Sequence, residues 1–291
     1  MHKPLATLGN TVSLSYAEPG DPWVRRLVIR LVESLSGGKT IERKYNAVIS
    51  RGLPDRELMP AALRELGIAL CFEGFPVMDI PRSGPLVFIA NHPFGVVDGL
   101  ALGEIASLVR ERFAILVNAV LCRNPQLDPF LLPIDFREIP EAVRINLKTR
   151  EEAITRLRSG EAIAIFPSGA VATAPFPGQP AVDLEWKRFV VKLITRSRAT
   201  VIPLYFQGQN SFGFQLASWV HMNLRLGFLL HEVSNKMGKP LFVQIGQPIP
   251  PEEWEKLDPV TNLLPFLRER TLSLGRKKHG IINFGPHFPK S

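Results

Sequence analysis

From Gly84 onward the chain alternates short apolar runs with stretches of helical periodicity, and this alternation restricts the possible folds more than any other feature. "PLVFIAN" (85–91), "RFAILVN" (112–118), "EAIAIFP" (161–167), "ATVIPLYF" (199–206) and "PLFVQIGQPI" (240–249) each have the length and the β-branched or aromatic content of a buried strand. Residues 97–112, 141–159, 184–198 and 215–230 have helical spacing and fit between the runs. Strands joined through helices return in the same direction. The pattern therefore predicts an α/β fold with a mostly parallel central sheet flanked by helices. With 45% of 291 residues apolar, one such core can be filled.

The first eighty residues carry a different pattern. In "DPWVRRLVIRLVESLSGG", Trp23, Leu27, Leu31, Val32 and Leu35 recur at helical spacing, with Arg25, Arg26, Arg30 and Glu33 on the polar side and Asp21-Pro22 as cap and first-turn proline. A second helix is predicted at about 55–66, with a kink or break at Pro60. The expected organisation is a helical, amphipathic N-terminal region (1–80) able to associate with a membrane, an α/β domain (81–275) and a basic tail (276–291). An amphipathic helix usually packs on its own domain, so its place in a lipid interface rests on the tryptophan and arginines together.

Lys and Arg outnumber Asp and Glu by 35 to 27. Arg276, Lys277, Lys278 and Lys290, with no acid after position 275, supply half of that surplus. Such a balance suits an anionic membrane surface or an acidic carrier, or is a solvated basic face. No run of basic residues interleaved with aromatics is present, so nucleic acid is not an expected partner. Cys71 and Cys122 lack C-x-x-C spacing and are expected as core thiols in a reducing compartment. No signal peptide is recognisable, and the charge-free stretch 199–224 is interrupted by Pro203, Gln207, Gly208, Gln209 and Asn210, against a spanning helix. Any membrane contact is expected to be peripheral or monotopic. The 215–230 helix, apolar on most sides, is expected either to be buried or to wall an acyl chain.

The chemistry concentrates in "IANHPFGVVDGLAL" (89–102). Strand 85–91 ends beside His92, and the next helix begins near Asp98. Reacting groups in open α/β sheets collect at the carboxyl ends of strands. A histidine takes a proton near neutral pH, and a carboxylate on its other ring nitrogen fixes the tautomer. Pro93 and Gly95 let the loop turn back, bringing acid to base. The pair then looks like a Ser-His-Asp triad without its serine, as if the substrate supplies the hydroxyl. On spacing alone, His92 is as well explained as a strand-end histidine and Asp98 as a helix N-cap. No further His, Cys or carboxylate stands at metal-ligand spacing.

Two further strand-to-loop transitions, "IAIFPSGAVAT" (163–173) and "VIPLYFQGQNS" (201–211), complete a set that resembles the glycerolipid acyltransferase superfamily, the lysophosphatidate acyltransferase-like enzymes. It is most similar to the bacterial branch labelled putative hemolysin or lyso-ornithine-lipid acyltransferase. "IRLVESLSGGKTIERKYN", "DLEWKRFVVKLI" (183–194) and "IGQPI" (245–249) extend the resemblance over about residues 20–250. It implies direct transfer of an acyl group from an acyl carrier protein or coenzyme A thioester to a lysolipid hydroxyl, with no other cofactor, at the cytoplasmic face of a bacterial inner membrane. His92 would be the general base and Asp98 would orient it. Asn91, Pro93, Gly95, Arg123, Phe166, Pro167, Ser168, Gly169, Trp186 and Lys187 would line the substrate site. Trp186 and Lys187 could equally be a structural tryptophan and a solvated lysine, and Arg123 simply exposed. A lipid-binding protein without catalysis and an esterase or lipase are the competing expectations; the second lacks a nucleophile elbow.

The departures bear on the acceptor. Five residues separate His92 from Asp98 where the family's commonest first block has four, and Gly95 is expected to absorb the extra one. The third block, usually FPEG followed by Ser/Thr and Arg, reads Phe166-Pro167-Ser168-Gly169-Ala170, without the acid or the arginine. An acceptor other than lysophosphatidate, such as an amino-acid lysolipid, is therefore expected. Ser168, flanked by Pro167 and Gly169, is expected in a backbone turn and not as a nucleophile.

Overall fold

The computed structural model describes residues 37–119, 125–135, 137, 139–176, 178–220, 222–276 and 283–284. The helix expected around Trp23 to Leu35, Cys122, Arg123 and the tail beyond Arg276, apart from 283–284, lie outside these residues.

In chain order the elements are α1 (Gly38–Ile49), α2 (Leu58–Glu65), β1 (Leu70–Gly74), β2 (Leu86–Ala90), α3 (Val96–Val109), β3 (Phe113–Asn118), β4 (Leu131–Ile134), α4 (Pro140–Arg158), β5 (Ala162–Ile165), α5 (Phe189–Ser197) and β6 (Thr200–Phe206). They continue with α6 (Phe212–Val220), α7 (Met222–Lys236), β7 (Leu241–Ile245), the single turn α8 (Pro251–Trp254), α9 (Leu263–Leu272) and the two-residue β8 (Asn283–Phe284). The strands form one sheet of order β4-β3-β5-β2-β6-β7-β1-β8. Every pairing is parallel except β6 with β7 and β1 with β8. The fold is thus α/β with a mostly parallel sheet.

All five residues of β2 are fully buried, because both faces of the sheet are covered. Leu86, Phe88 and Ala90 point into a core shared with Leu63 of α2, Leu102 and Ile105 of α3 and Val233 of α7. Val87 and Ile89 point to the other core, filled by Leu157 of α4, Val190 and Ile194 of α5 and Leu267 of α9. Gly103 permits the close approach of α2 to α3: a side-chain carbon there would lie 2.0 Å from the Met59 sulfur.

Several local expectations change. Residues 70–74, inside the stretch expected to be helical, form β1 and pair with β7, so this stretch adds a strand to the sheet. Pro60 does not break its helix. The α-helix starts at Leu58, which puts Pro60 in the first turn, where its missing N–H costs nothing. The strand expected over 240–249 stops at Ile245, and Ile249 makes only an isolated bridge to Val201. Pro248 and Pro250 have no N–H to continue a ladder. The helix expected from 184 starts at Phe189, since residues 183–187 are committed to the site described below. The single helix expected over 215–230 is two, α6 and α7.

Candidate active site

The ends of β2, β5 and β6 converge on His92. β2 stops at Ala90, and Asn91 replaces the next rung of the ladder with its side chain: Nδ2 donates to the Phe206 carbonyl at 3.0 Å, and the Phe206 N–H donates to Oδ1 at 2.7 Å. His92 follows, with its ring 3.9 Å from that of Phe166 at 19°, stacked on the residue just past β5. Its main chain is held on both sides. The His92 N–H donates to Asp183 Oδ1 at 3.1 Å, and its carbonyl accepts the Ala172 N–H at 2.7 Å.

The expected return of Asp98 to His92 is present. His92 Nδ1 lies 2.9 Å from Asp98 Oδ2, and the carboxylate also accepts the N–H groups of Phe94 at 2.9 Å and Gly95 at 3.2 Å. Asp98 is fully buried, while 16% of the His92 side chain is exposed. A carboxylate only accepts, so Nδ1 carries the proton and Nε2 is left as the basic nitrogen. Asp98 lies in the first turn of α3, which starts one residue before the expected 97, so capping the helix and orienting the imidazole are one arrangement. Gly95 takes φ +86°, and a side chain there would meet Leu229 and Val171 at 3.0 and 3.2 Å. The five-residue spacing is accommodated at this left-handed position.

The other sequence-predicted residues divide. Phe166 touches the His92 ring, and Pro93 is buried in the loop. Pro167 accepts the Lys187 main-chain N–H at 2.9 Å, while the Lys187 side chain is exposed. Gly169 closes the turn after β5 by donating its N–H to the Phe166 carbonyl at 2.9 Å. Ser168 is buried and its hydroxyl donates to the Ala170 carbonyl at 3.0 Å, so it shapes a turn and does not present a nucleophile. Trp186 is buried, its indole N–H donating to Asp183 Oδ2 at 2.7 Å. That makes it part of the loop's support.

Asp183 is the site residue that sequence spacing did not single out. One oxygen holds the His92 backbone and the other the Trp186 indole, across 91 residues of chain. Burial pushes its carboxyl above the usual range, against the pull of the Trp186 indole, the His92 N–H and charge, and the Ser168 hydroxyl. Two cations also approach the loops. The Lys236 ammonium lies 3.9 Å from the centre of the Phe94 ring; burial lowers its pKa, opposed by the charges of Glu232 and Asp98. Arg225 of α7 donates to the Val171 carbonyl at 2.8 Å, just past the third block, and burial lowers its pKa.

The comparisons with known proteins point one way. The family model described as acyltransferase matches residues 35–279. A lyso-glycine lipid O-acyltransferase of Phocaeicola vulgatus is 30% identical over 204 residues, 66% of this chain and 68% of that protein. A protein of the same name from Bacteroides thetaiotaomicron is 29% identical over 197 residues, 62% of this chain and 66% of its own length. The crystal structure of the 1-acyl-sn-glycerophosphate acyltransferase PlsC from Thermotoga maritima matches with a TM-score of 0.50 over 87% of this chain and 94% of that one. At 14% identity, that likeness is one of fold alone.

Proposed function

The chain belongs to the acyltransferase family, and from that membership we propose that it moves a fatty acyl group from an acyl thioester to the hydroxyl of a lysolipid. The observation that carries this reading is the His92–Asp98 pair, with Nδ1 engaged and Nε2 free to accept a proton. Among the described residues no serine or cysteine is bonded to His92, which favours a hydroxyl brought by the substrate over one on the enzyme.

As the acceptor oxygen attacks the thioester carbonyl, its proton passes to Nε2. Asp98, held by two backbone N–H groups, stabilises the imidazolium that forms. Collapse of the tetrahedral species breaks the carbon–sulfur bond, and the imidazolium returns the proton to the departing thiolate. Phe166 and Asp183 confine the ring and its backbone, so little reorganisation accompanies the transfer. The donor is an acyl carrier protein or coenzyme A thioester. No described helix is long and apolar enough to cross a membrane, and a peripheral place at the cytoplasmic face of a bacterial inner membrane accords with the basic tail.

The acceptor carries an amino-acid headgroup. Two relatives are named for lyso-glycine lipid, and Ser168 and Val171 stand in the third block where the acid and the arginine of the common pattern would handle a phosphate. A phosphate monoester bears roughly two negative charges at neutral pH and calls for fixed cations. The test incubates purified protein with each thioester donor and equimolar lyso-glycine lipid, lyso-ornithine lipid and lysophosphatidate, with products identified by mass spectrometry. Acylated amino-acid lipid is expected as the main product. A specificity constant more than about tenfold in favour of lysophosphatidate would overturn the acceptor assignment, and absence of any acyl transfer would overturn the function.

A further inference from the structure

Helices α4 and α5 pack on the same face of the sheet and run side by side in the same direction. The Arg150 guanidinium sits 5.0 Å from the centre of the Phe189 ring at the start of α5, and two turns further on Arg158 donates from Nε and Nη2 to the Arg196 carbonyl at 3.1 and 2.9 Å. A ring and a carbonyl leave both guanidiniums without a counter-charge.

Helix α5 adds cations of its own. Val190, Val191, Leu193 and Ile194 turn to the core, which leaves Arg188, Lys192 and Arg196, at i, i+4 and i+8, as an exposed row about 12 Å long at 1.5 Å per residue. From 186 to 198 the sequence contains no acid. Among the described residues none of these five cations forms an ion pair, whereas exposed arginines elsewhere do, as Arg51 with Glu65, Arg270 with Glu253 and Arg276 with Glu269. Like charges one turn apart repel, and an acidic partner relieves that repulsion.

The seam also has an apolar end. Val143 and Leu147 precede Arg150 on one stripe of α4 and are 59% and 53% exposed. This end is the catalytic one: Lys187, just before α5, donates its main-chain N–H to the Pro167 carbonyl, and Asp183 of the same segment holds the His92 backbone.

Unpaired cations on two helices beside a small apolar patch suit an acidic protein surface. We infer that the α4–α5 seam docks the acidic carrier protein that delivers the acyl thioester, with its acids along Arg188, Lys192 and Arg196 and its thioester arm directed to the His92 loop at the end of the seam. The acidity of the partner follows from the seam; that the partner carries an acyl thioester rests on the proposed function. A bilayer is drawn to basic residues too, but it also takes up large apolar side chains. The uncovered aromatics Phe212 and Trp219 belong to α6, whose Phe214 fills the core on the other side of the sheet.

Binding is measured first, without transfer, as the anisotropy of a fluorescently labelled acyl carrier protein bearing a palmitoyl thioester, titrated with the full chain. Lys192→Glu combined with Arg196→Glu is expected to weaken binding about tenfold and to flatten its dependence on salt. Lys192→Arg with Arg196→Lys, which keeps both charges, is expected to leave it unchanged, and Leu147→Asp to weaken it about fivefold. Transfer is then compared for three donors: this carrier, palmitoyl-coenzyme A and the uncharged palmitoyl thioester of N-acetylcysteamine. In the charge-reversed protein KM for the carrier is expected to rise about tenfold with kcat retained, and both small thioesters to behave as with the parent. An equal loss with the N-acetylcysteamine thioester would make Lys192 and Arg196 structural, and an equal loss with palmitoyl-coenzyme A would make the row a phosphate site; either overturns the docking surface. So does unchanged carrier binding in a charge-reversed protein that sediments less with anionic vesicles, which would give the seam to a membrane. If the carrier binds through the seam and no donor is turned over, the proposed function fails and the surface stands; transfer from coenzyme A by a protein that does not bind the carrier sinks the surface alone.

Discussion

Helix α3 buries two carboxyl groups six residues apart, and they have opposite fates. Asp98, at its start, receives two backbone N–H groups and the His92 imidazole. Glu104, in its middle, is 3% exposed, and burial pushes its pKa up to about 7, with the charge of Arg64 offsetting part of the rise. Desolvation alone makes a carboxyl retain its proton, whereas a first turn rich in free N–H groups gives a buried carboxylate something to do. The difference between the two acids is thus a matter of where each sits on the same helix.

The largest test of that contrast removes the imidazole that Asp98 holds, the base of the proposed mechanism. His92→Ala is expected to lower kcat by about 10³, the usual range for a lost general base, with a smaller change in KM, as read by steady-state kinetics on a folded variant. Near wild-type turnover would dismiss the mechanism.

The Glu104 half of the comparison is tested by stability. Its folded pKa lies above the ordinary glutamate value of 4.5, so between about pH 4.5 and 7 the folded state keeps a proton that the unfolded chain has released. Stability therefore falls as pH rises through that window and levels off above it, by roughly 3 kcal/mol in all. Glu104→Gln should flatten this contribution and raise the denaturation midpoint at pH 8 relative to the parent protein. An identical pH dependence in parent and variant would show that Glu104 is not the group responsible.

Asp98→Asn comes next, with kcat expected to drop by about 10², since an amide cannot accept from all three donors in the same geometry. Combining it with His92→Ala should add almost nothing, because the two act as a unit. Additive losses would separate them. The smallest expected effect belongs to Asp183→Asn, which loosens the His92 backbone and the Trp186 indole: kcat about tenfold lower, KM and the pH profile of kcat retained. A shifted pH profile would mean that Asp183 communicates charge to the reaction as well as position.

The sheet was legible where strands are continuous apolar runs, as in β2, β3, β5 and β6. β1 escaped because "LCFEG" contains Glu73, a buried acid hydrogen-bonded to the Gln244 side chain of the neighbouring β7. β4 escaped because of Pro133, which is compatible with a ladder only at an edge, and β4 is an edge strand. His92 and Asp98 could be found because one short loop spans both. Asp183 could not, since its bonds to His92 and Trp186 depend on the tertiary course of the segment before α5. The helical spacing of 215–230 concealed a further distinction, for periodicity does not reveal that Leu216, Trp219 and Val220 face outward while Phe214 and Leu229 face in.

Asn91 imitates a peptide group. By offering Phe206 an amide in place of the main chain that β2 no longer provides, it bolts the two strands together one step past the last regular rung. Upstream of the bolt the sheet cannot peel; downstream the chains diverge, one into the histidine loop and the other toward α6. Changes on the far branch can therefore accumulate without the fray travelling back to the imidazole, so one branch is free to vary while the other stays in register.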